Sequence, residues 1–484
     1  MNTFIIGLVM LLVGGTFYGR YCEKVFHPDD RQTPAFSLKD GVDYVPMKGR
    51  KNALIELLNI AGTGPILGPI QGILFGPIAF IFIPIGCVLG GALHDYMSGM
   101  ISLRSNGEQM PSLIKRHLGT KVHKVYNIFV ILLMILVGAV FIYTPGDLIV
   151  ANVLKQDAIA SNPTVWVVYA IIFAYYICAT LFPIDKIIGR VYPIFGAILL
   201  LSAVGIFFGL FIKGYQLDNL TASTFSLVRT DGVHLFPVFF VTVACGIVSG
   251  FHSTQATLIA RSVKSEKEGR FIFYDMMILE GFIAMIWAAA AMGIYNQGID
   301  QALIGKPAVI GLVANDMLGT VGGLIAIIGI IVLPITSGDT ALRSARLMIA
   351  DHLHISQTKM KNRLSLAIGI FIAVLVILIF AKLSPNGFNV LWQYFAWANQ
   401  TIAVFAFAMI SVYLKKNGKN PRISLIPGMF YMYIITTYIM NAKIGFNLPY
   451  SLSNVIGFAL AILYAYFVYR LGKKSQTSAS RSLN

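Results

Sequence analysis

Residues 59–69 read Asn-Ile-Ala-Gly-Thr-Gly-Pro-Ile-Leu-Gly-Pro, inside a long apolar segment. Three glycines (Gly62, Gly64, Gly68) and two prolines (Pro65, Pro69) share this stretch. Proline removes a backbone donor and collides with the preceding helical turn. Glycine lowers the cost of leaving the helix. The stretch therefore predicts a break in a membrane helix, with Gly64 in a conformation that only glycine tolerates. In lipid, freed N–H and C=O groups need partners, so a break survives only where protein buries it or a wet cavity meets it. Two readings follow: a discontinuous helix whose amides and carbonyls bind a solute or ion, or a Pro/Gly kink used for helix packing.

The rest of the chain supplies the membrane. Of 484 residues, 57% are hydrophobic and 12% charged, and mean hydropathy is +0.75. Soluble domains carry about twice that charge. The fold class is an all-α polytopic membrane protein. Cys22, Cys87, Cys178 and Cys245 are dispersed, mostly in apolar runs, and suggest neither a disulfide framework nor a metal site. Met1–Tyr18 lacks a basic leader and reads as a first span rather than a cleavable signal.

Runs of about 20 apolar residues, enough to cross a bilayer, predict thirteen transmembrane helices. They lie near 3–19, 52–73, 77–101, 124–144, 164–183, 190–212, 234–260, 271–296, 318–340, 364–381, 388–413, 423–441 and 451–469. Of the 37 Lys and Arg residues, 31 fall in alternate loops beginning with 20–51; the other side holds Lys155, Lys213, Arg229, Lys306, Lys382 and Lys443. The positive-inside rule then sets the N-terminus outside and the C-terminal tail in the cytoplasm. The same distribution explains the net charge of +16 without nucleic acid.

A second Gly-interrupted span, 234–260, contains Ala-Cys-Gly-Ile-Val-Ser-Gly-Phe-His (Ala244–His252). It lies five spans after the first and runs in the opposite direction. Paired interrupted helices in corresponding positions point to an inverted-repeat transporter; the alternative is glycine used for close packing. The predicted organisation is an extra helix and cytoplasmic loop (1–51), repeat one (52–213), repeat two (234–413), two C-terminal helices (423–471) and a tail (472–484).

Polar residues within spans carry the chemistry, because a charge at mid-membrane costs about 2.5–3.5 kcal/mol. Glu280 has no basic neighbour in sequence, so it reads as protonated or paired across helices: a proton-coupling carboxyl or a structural hydrogen bond. His252 lies about 12 Å from the inner end of its span and Glu280 about 13–14 Å, similar depths on consecutive antiparallel helices. The substrate set is Gly62, Thr63, Gly64, Ser249, Gly250 and His252. Thr336, Ser337 and Asp339 follow Pro334 and suit a Na⁺ site or proton exchange, so the coupling set is Glu280, Thr336, Ser337 and Asp339. Arg343 and Arg346 share a helix face with Asp339. Asp95 is expected near the cytoplasmic end of its span, capping or pairing there. Asn399 and Gln400, in Trp-Gln-Tyr-Phe-Ala-Trp-Ala-Asn-Gln, line a cavity or join aromatic packing. These five (Asp95, Arg343, Arg346, Asn399, Gln400) are assigned structural or gating roles.

An enzyme reading competes. Tyr274-Asp275 and Ser337-Gly338-Asp339 echo the paired aspartates of intramembrane aspartyl proteases, but Thr336 stands where the first Gly of Gly-x-Gly-Asp belongs and no Pro-Ala-Leu follows. A nutrient sensor of the same fold is the other alternative.

Ile60–Pro69, Gly90–Tyr96, Val241–His252, Gly281–Ala291, Leu333–Arg346 and Leu391–Gln400 together resemble the carbon starvation protein A (CstA) family, across most of residues 17–413. The resemblance implies cation-coupled uptake of a small nutrient, peptide or pyruvate, across a bacterial cytoplasmic membrane in response to starvation. It implies no enzyme activity and no cofactor beyond H⁺ or Na⁺. It also implies a LeuT-like 5+5 fold, similar to the amino acid–polyamine–organocation transporters. The chain is shorter than long family members and lacks their extra C-terminal helices. Its partners are a small-molecule substrate and the bilayer, with oligomeric state open.

The charge count generates a topological prediction. In a cysteine-free background, single cysteines at Asn2 and Ser482 are expected to react with an impermeant reagent from opposite sides of the membrane. Equal labelling from outside would overturn thirteen spans.

Overall fold

The computed structural model describes the backbone of residues 1–41, 43–181, 185–353, 355 and 359–481, with side chains throughout except at 180–193, 302, 351–352 and 473–481. Residues 182–184, where the loop 184–190 was expected to begin, and Ser482 lie outside this set. The described chain is helix and turn, with two isolated bridges, Met47 to Val263 and Val228 to His234.

Eleven helices among the described residues are long and apolar enough to cross a membrane. The expectation from sequence was thirteen, and the difference has identifiable causes. The helix Pro163–Ala179 is shorter than the rest. Backbone breaks also divide the chain in unexpected places. Gly64–Arg104 runs for 41 residues through Gly76, whose φ of +78° is the left-handed conformation that suits glycine. Gly319, at φ +70°, likewise divides Val309–His352.

Two helices are broken near their middles. The first leaves helical geometry between Gly49–Ile60 and Gly64–Gly72. The second does so between Leu235–Val243 and Gly250–Ile259, with Ser249 extended at φ −135°, ψ 122°. Pro65 occupies the first turn of its half-helix, where its missing N–H would be unpaired anyway. The broken helices pack directly on each other. A Cβ added to Gly64 would sit 2.6 Å from the Cys245 sulfur, and one added to Gly68 would sit 2.9 Å from the Thr242 and Val243 carbonyl oxygens. Gly64 begins a regular helix, so the expectation of a glycine-only conformation there is corrected: close approach, not φ, demands glycine.

One end of the bundle is tied shut by polar bonds. Asn52 donates to the Ser262 carbonyl (3.0 Å), and the Ser262 hydroxyl donates back to Asn52 Oδ1 (2.8 Å). The Thr33 hydroxyl donates to the Val263 carbonyl at 2.6 Å. Arg104 holds the buried Glu266 through two bonds of 2.8 Å each. The Asn52–Ser262 pair joins the first half of the first broken helix to the far end of the second.

Packing of the broken pair gives a stability prediction. Gly68→Val pushes a side chain into backbone that cannot yield, which costs at least about 1–3 kcal/mol for overpacking. Gly369→Ala, at a glycine with nothing within 4 Å, is expected to leave the detergent-solubilised protein's melting temperature unchanged or slightly raised. A thermal-shift assay on both variants checks the contrast.

Candidate functional site

The second break frees backbone groups inside the bundle, and the helix Gly387–Lys416 meets them. Asn399 Oδ1 accepts the Phe251 N–H at 2.9 Å, and the Ser249 hydroxyl lies 3.2 Å from the same oxygen. Asn399 Nδ2 lies 3.0 Å from the Ser249 oxygen and 3.2 Å from Cys245 Sγ. Gln400 Nε2 donates to the Phe240 carbonyl at 2.5 Å. Both amides are fully buried. Two adjacent side chains thus fasten both halves of the broken helix.

Between the two breaks lies a small closed cavity of about 20 Å³, room for roughly one water. Its lining includes Asn59, Gly62, Gly64, Ser249, His252 and Ser337. Behind His252 sits a buried polar cluster. His252 Nδ1 lies 3.1 Å from Asp95 Oδ2 and 3.6 Å from Glu280 Oε2, and His94 Nδ1 lies 2.7 Å from Asp95 Oδ1. Asp95, His94 and Glu280 are fully buried, and His252 nearly so. A fourth helix brings Glu56, also fully buried and within electrostatic reach of Asp95 and Glu280. The carboxyl oxygens of Glu56 and Glu280 accept no hydrogen bond among the described residues. Five ionisable side chains on four helix segments therefore converge next to the break.

The carbon starvation protein CstA family model matches residues 1–206, 146–324 and 306–439. The chain belongs to the CstA family. An uncharacterised membrane protein of Haemophilus influenzae is 41% identical over 351 residues, 63% of this chain and 94% of that protein. The peptide transporter CstA of Escherichia coli is 23% identical over 90% of this chain and 81% of its own length. The pyruvate/proton symporter BtsT of the same organism is 27% identical over 63% of this chain, but only 51% of its own length is covered. A manganese transporter from Eremococcus coleocola superposes with a TM-score of 0.57 at 10% identity, covering 90% of this chain and 94% of its own; at that identity the likeness speaks for the fold alone. The CstA-family chain is thus a multi-pass inner-membrane protein whose named relatives are transporters, not enzymes.

Within this family member, the structure brings some predicted residues together and separates others. Gly62, Gly64, Ser249, His252 and Ser337 line the cavity. Thr63 is buried beside them, its hydroxyl without a partner. Gly250 instead packs against the helix Gly387–Lys416, where a Cβ would come 2.4 Å from the Asn399 carbonyl oxygen. Thr336 turns its hydroxyl to its own helix, donating to the Leu333 carbonyl at 2.9 Å. Asp339 accepts from Tyr175 at 2.8 Å, and Arg343 donates to the Ala179 carbonyl at 2.8 Å, so this face rests on the helix Pro163–Leu181. Arg346 is 5% exposed. Asp275 lies 3.8 Å from Arg270, in surroundings different from those of Asp339.

Asp95 requires a correction. It was expected near a span boundary, but its helix continues to Arg104, about 13 Å farther at 1.5 Å per residue. Of the two roles expected, capping or pairing, it pairs, with His94 and His252 inside the bundle. Sequence reasoning also missed His94 and Glu56. His94 precedes Asp95 and so faces a different direction on an ideal helix. Glu56 lies only five residues after Lys51, close to the cations that end the preceding loop. The signal that marks it is spacing: Glu56 is a full turn and more beyond those cations and a single residue-triplet before Asn59.

Bracing of the break predicts an asymmetric substitution effect. Asn399→Leu leaves the Phe251 N–H unpaired in a buried site, a loss of about 1–3 kcal/mol. Asn399→Asp keeps the acceptor and is expected to lose less. Melting temperatures of both variants, compared with Thr401→Ala on the same helix, check this order.

Proposed function

We propose that the chain is a proton-coupled importer of a small carboxylate-bearing nutrient, either a short peptide or a pyruvate-like acid. The observation that carries this reading is His252, which touches both Asp95 and Glu280 at the wall of the cavity between two broken helices. Asp95 engages Nδ1 of His252, which leaves Nε2 as the nitrogen available to a ligand. In this scheme His252 meets the substrate carboxylate and Glu280 holds the coupling proton. Carboxylate arrival pulls His252 from its acidic partners, and Glu280 must then keep its proton or leave an uncompensated buried charge, which costs several kcal/mol. Substrate and proton therefore move together. A Na⁺ scheme would rest on Thr336, Ser337 and Asp339, but Thr336 bonds its own helix and Asp339 accepts from Tyr175 and Thr340.

The proposed frame has thirteen spans, an external N-terminus and two inverted five-helix repeats. Eleven spans meet the length and apolarity expected of a crossing helix; the broken Gly49–Gly72 segment and Pro163–Leu181 complete the set. In each proposed repeat the first helix is the broken one, and the breaks lie against each other. That arrangement supports a substrate site at the repeat interface.

Glu280→Gln tests the coupling role, because the amide keeps the shape but releases no proton. In proteoliposomes, concentrative uptake of labelled pyruvate or dialanine under a proton gradient is expected to fall to passive equilibration. Counterflow of the same solute is expected to persist. A variant that still concentrates solute would make Glu280 structural; wild-type protein that binds but never accumulates solute would be a sensor.

A further inference from the structure

A second, larger cavity of about 490 Å³ opens at the other end of the bundle from the Asn52–Ser262 clamp. The helix Thr120–Leu148 runs from the clamped end, past Phe141 at the central cavity, to Asp147 in this vestibule. That last step is about 9 Å. Lys155 and Lys306 line the vestibule and are exposed. Asp147 and Asp157 also line it, but Asp147 is already committed. It receives the buried Lys382 ammonium at 2.7 and 2.9 Å and the Tyr169 hydroxyl at 2.6 Å. With Lys382 counted, the vestibule carries one positive charge in excess. The helix Gly387–Lys416 begins here, with Asn386 at its N-cap making no side-chain capping bond. The Gly387 N–H is already taken by the Ser384 carbonyl at 3.0 Å, so it is the helix dipole that favours an anion at the same place.

Five aromatic rings separate the vestibule from the central cavity. Tyr143 and Phe388, both in the vestibule wall, have ring centroids 4.7 Å apart. Phe388 contacts Trp392 (6.2 Å), Trp392 contacts Phe395 (5.4 Å), and Phe395 contacts Phe141 (6.4 Å). Phe395 and Phe141 belong to the lining of the central cavity. A continuous chain of ring contacts thus spans the distance between the two cavities. The other end is held by backbone-directed hydrogen bonds and a buried ion pair.

We propose that the vestibule is a loading site where a carboxylate gathers against Lys155, Lys306 and the Asn386 helix start before the aromatic rings part. The proposal rests on the reading of the substrate as a carboxylate and of this face as external. The lysines raise the local concentration of anions, an effect that salt screens. The Asp147–Lys382 pair keeps the floor neutral, so the anion is not held too tightly to leave.

The test reads chemistry in the vestibule without transport. Ser384, which lines it, is replaced in a Ser384→Cys, Cys178→Ser variant; the remaining cysteines are buried. Intact cells are treated with sulfonate-bearing and trimethylammonium-bearing methanethiosulfonates. The anionic reagent's rate advantage is expected to drop about tenfold when Lys155→Gln and Lys306→Gln are added, and to shrink likewise in high salt. Pyruvate or dialanine is expected to slow modification. An unchanged rate ratio, protection by neither solute, or reaction only from the cytoplasmic side of inverted vesicles would overturn the proposal. Failure of Glu280→Gln to uncouple transport would leave these rates untouched, so the two readings fail separately.

Discussion

Everything in this structure depends on a backbone that leaves the helix inside the membrane without losing its hydrogen bonds. Lipid offers no partner to a freed N–H or C=O, and each orphan costs several kcal/mol. At the second break Asn399 answers the Phe251 N–H and Gln400 answers the Phe240 carbonyl. Adjacent amides on one uninterrupted helix can do this because they fall about 100° apart around its axis and so reach both halves of the broken helix. The first break relies more on proximity. Glycines at 64 and 68 let it lie against Cys245 and the Thr242 and Val243 carbonyls.

Once the break exists, it creates the site. It widens the space between helices enough for a water-sized cavity and brings the histidine of one half-helix against carboxyls from two others. Such a cluster is a poor way to stabilise a protein. Pairs of buried charges barely repay their desolvation, while removing one partner is strongly unfavourable. The proposed proton exchange would need such a group, because it requires buried side chains that trade charge among themselves. The polar clamp at one end and the aromatic rings at the other give the two exits unequal character. One is fixed by directional bonds; the other is filled by packed aromatic rings.

Much of this was legible in the chain. Glycine and proline density located the first break, and Gly246 and Gly250 located the second, because breaking a helix is a local property of backbone chemistry. Equal depth of His252 and Glu280 followed from counting residues along consecutive antiparallel helices. Asp95's partner His252 was missed because it reaches the carboxylate only through the packing of one helix against a distant one. The Thr336 hydroxyl donates to its own helix, a bond that sequence could have anticipated because a hydroxyl in a helix has its own carbonyls as the nearest acceptors.

By itself, the sequence determined that the chain is a helical membrane protein, where two of its helices break, and that it belongs with the CstA transporters. These follow from hydropathy, residue chemistry and motif, each read over a few tens of residues. Only the tertiary structure decided that Asp95 joins His252, that Glu56 and His94 complete the cluster, that Asn399 and Gln400 serve the break, and that Lys382 neutralises Asp147. Those facts depend on the rotation of each helix about its axis. Rotation is fixed by packing against neighbours distant in sequence, and an apolar helix surrounded by lipid and other apolar helices carries too little polarity contrast to declare which face turns inward.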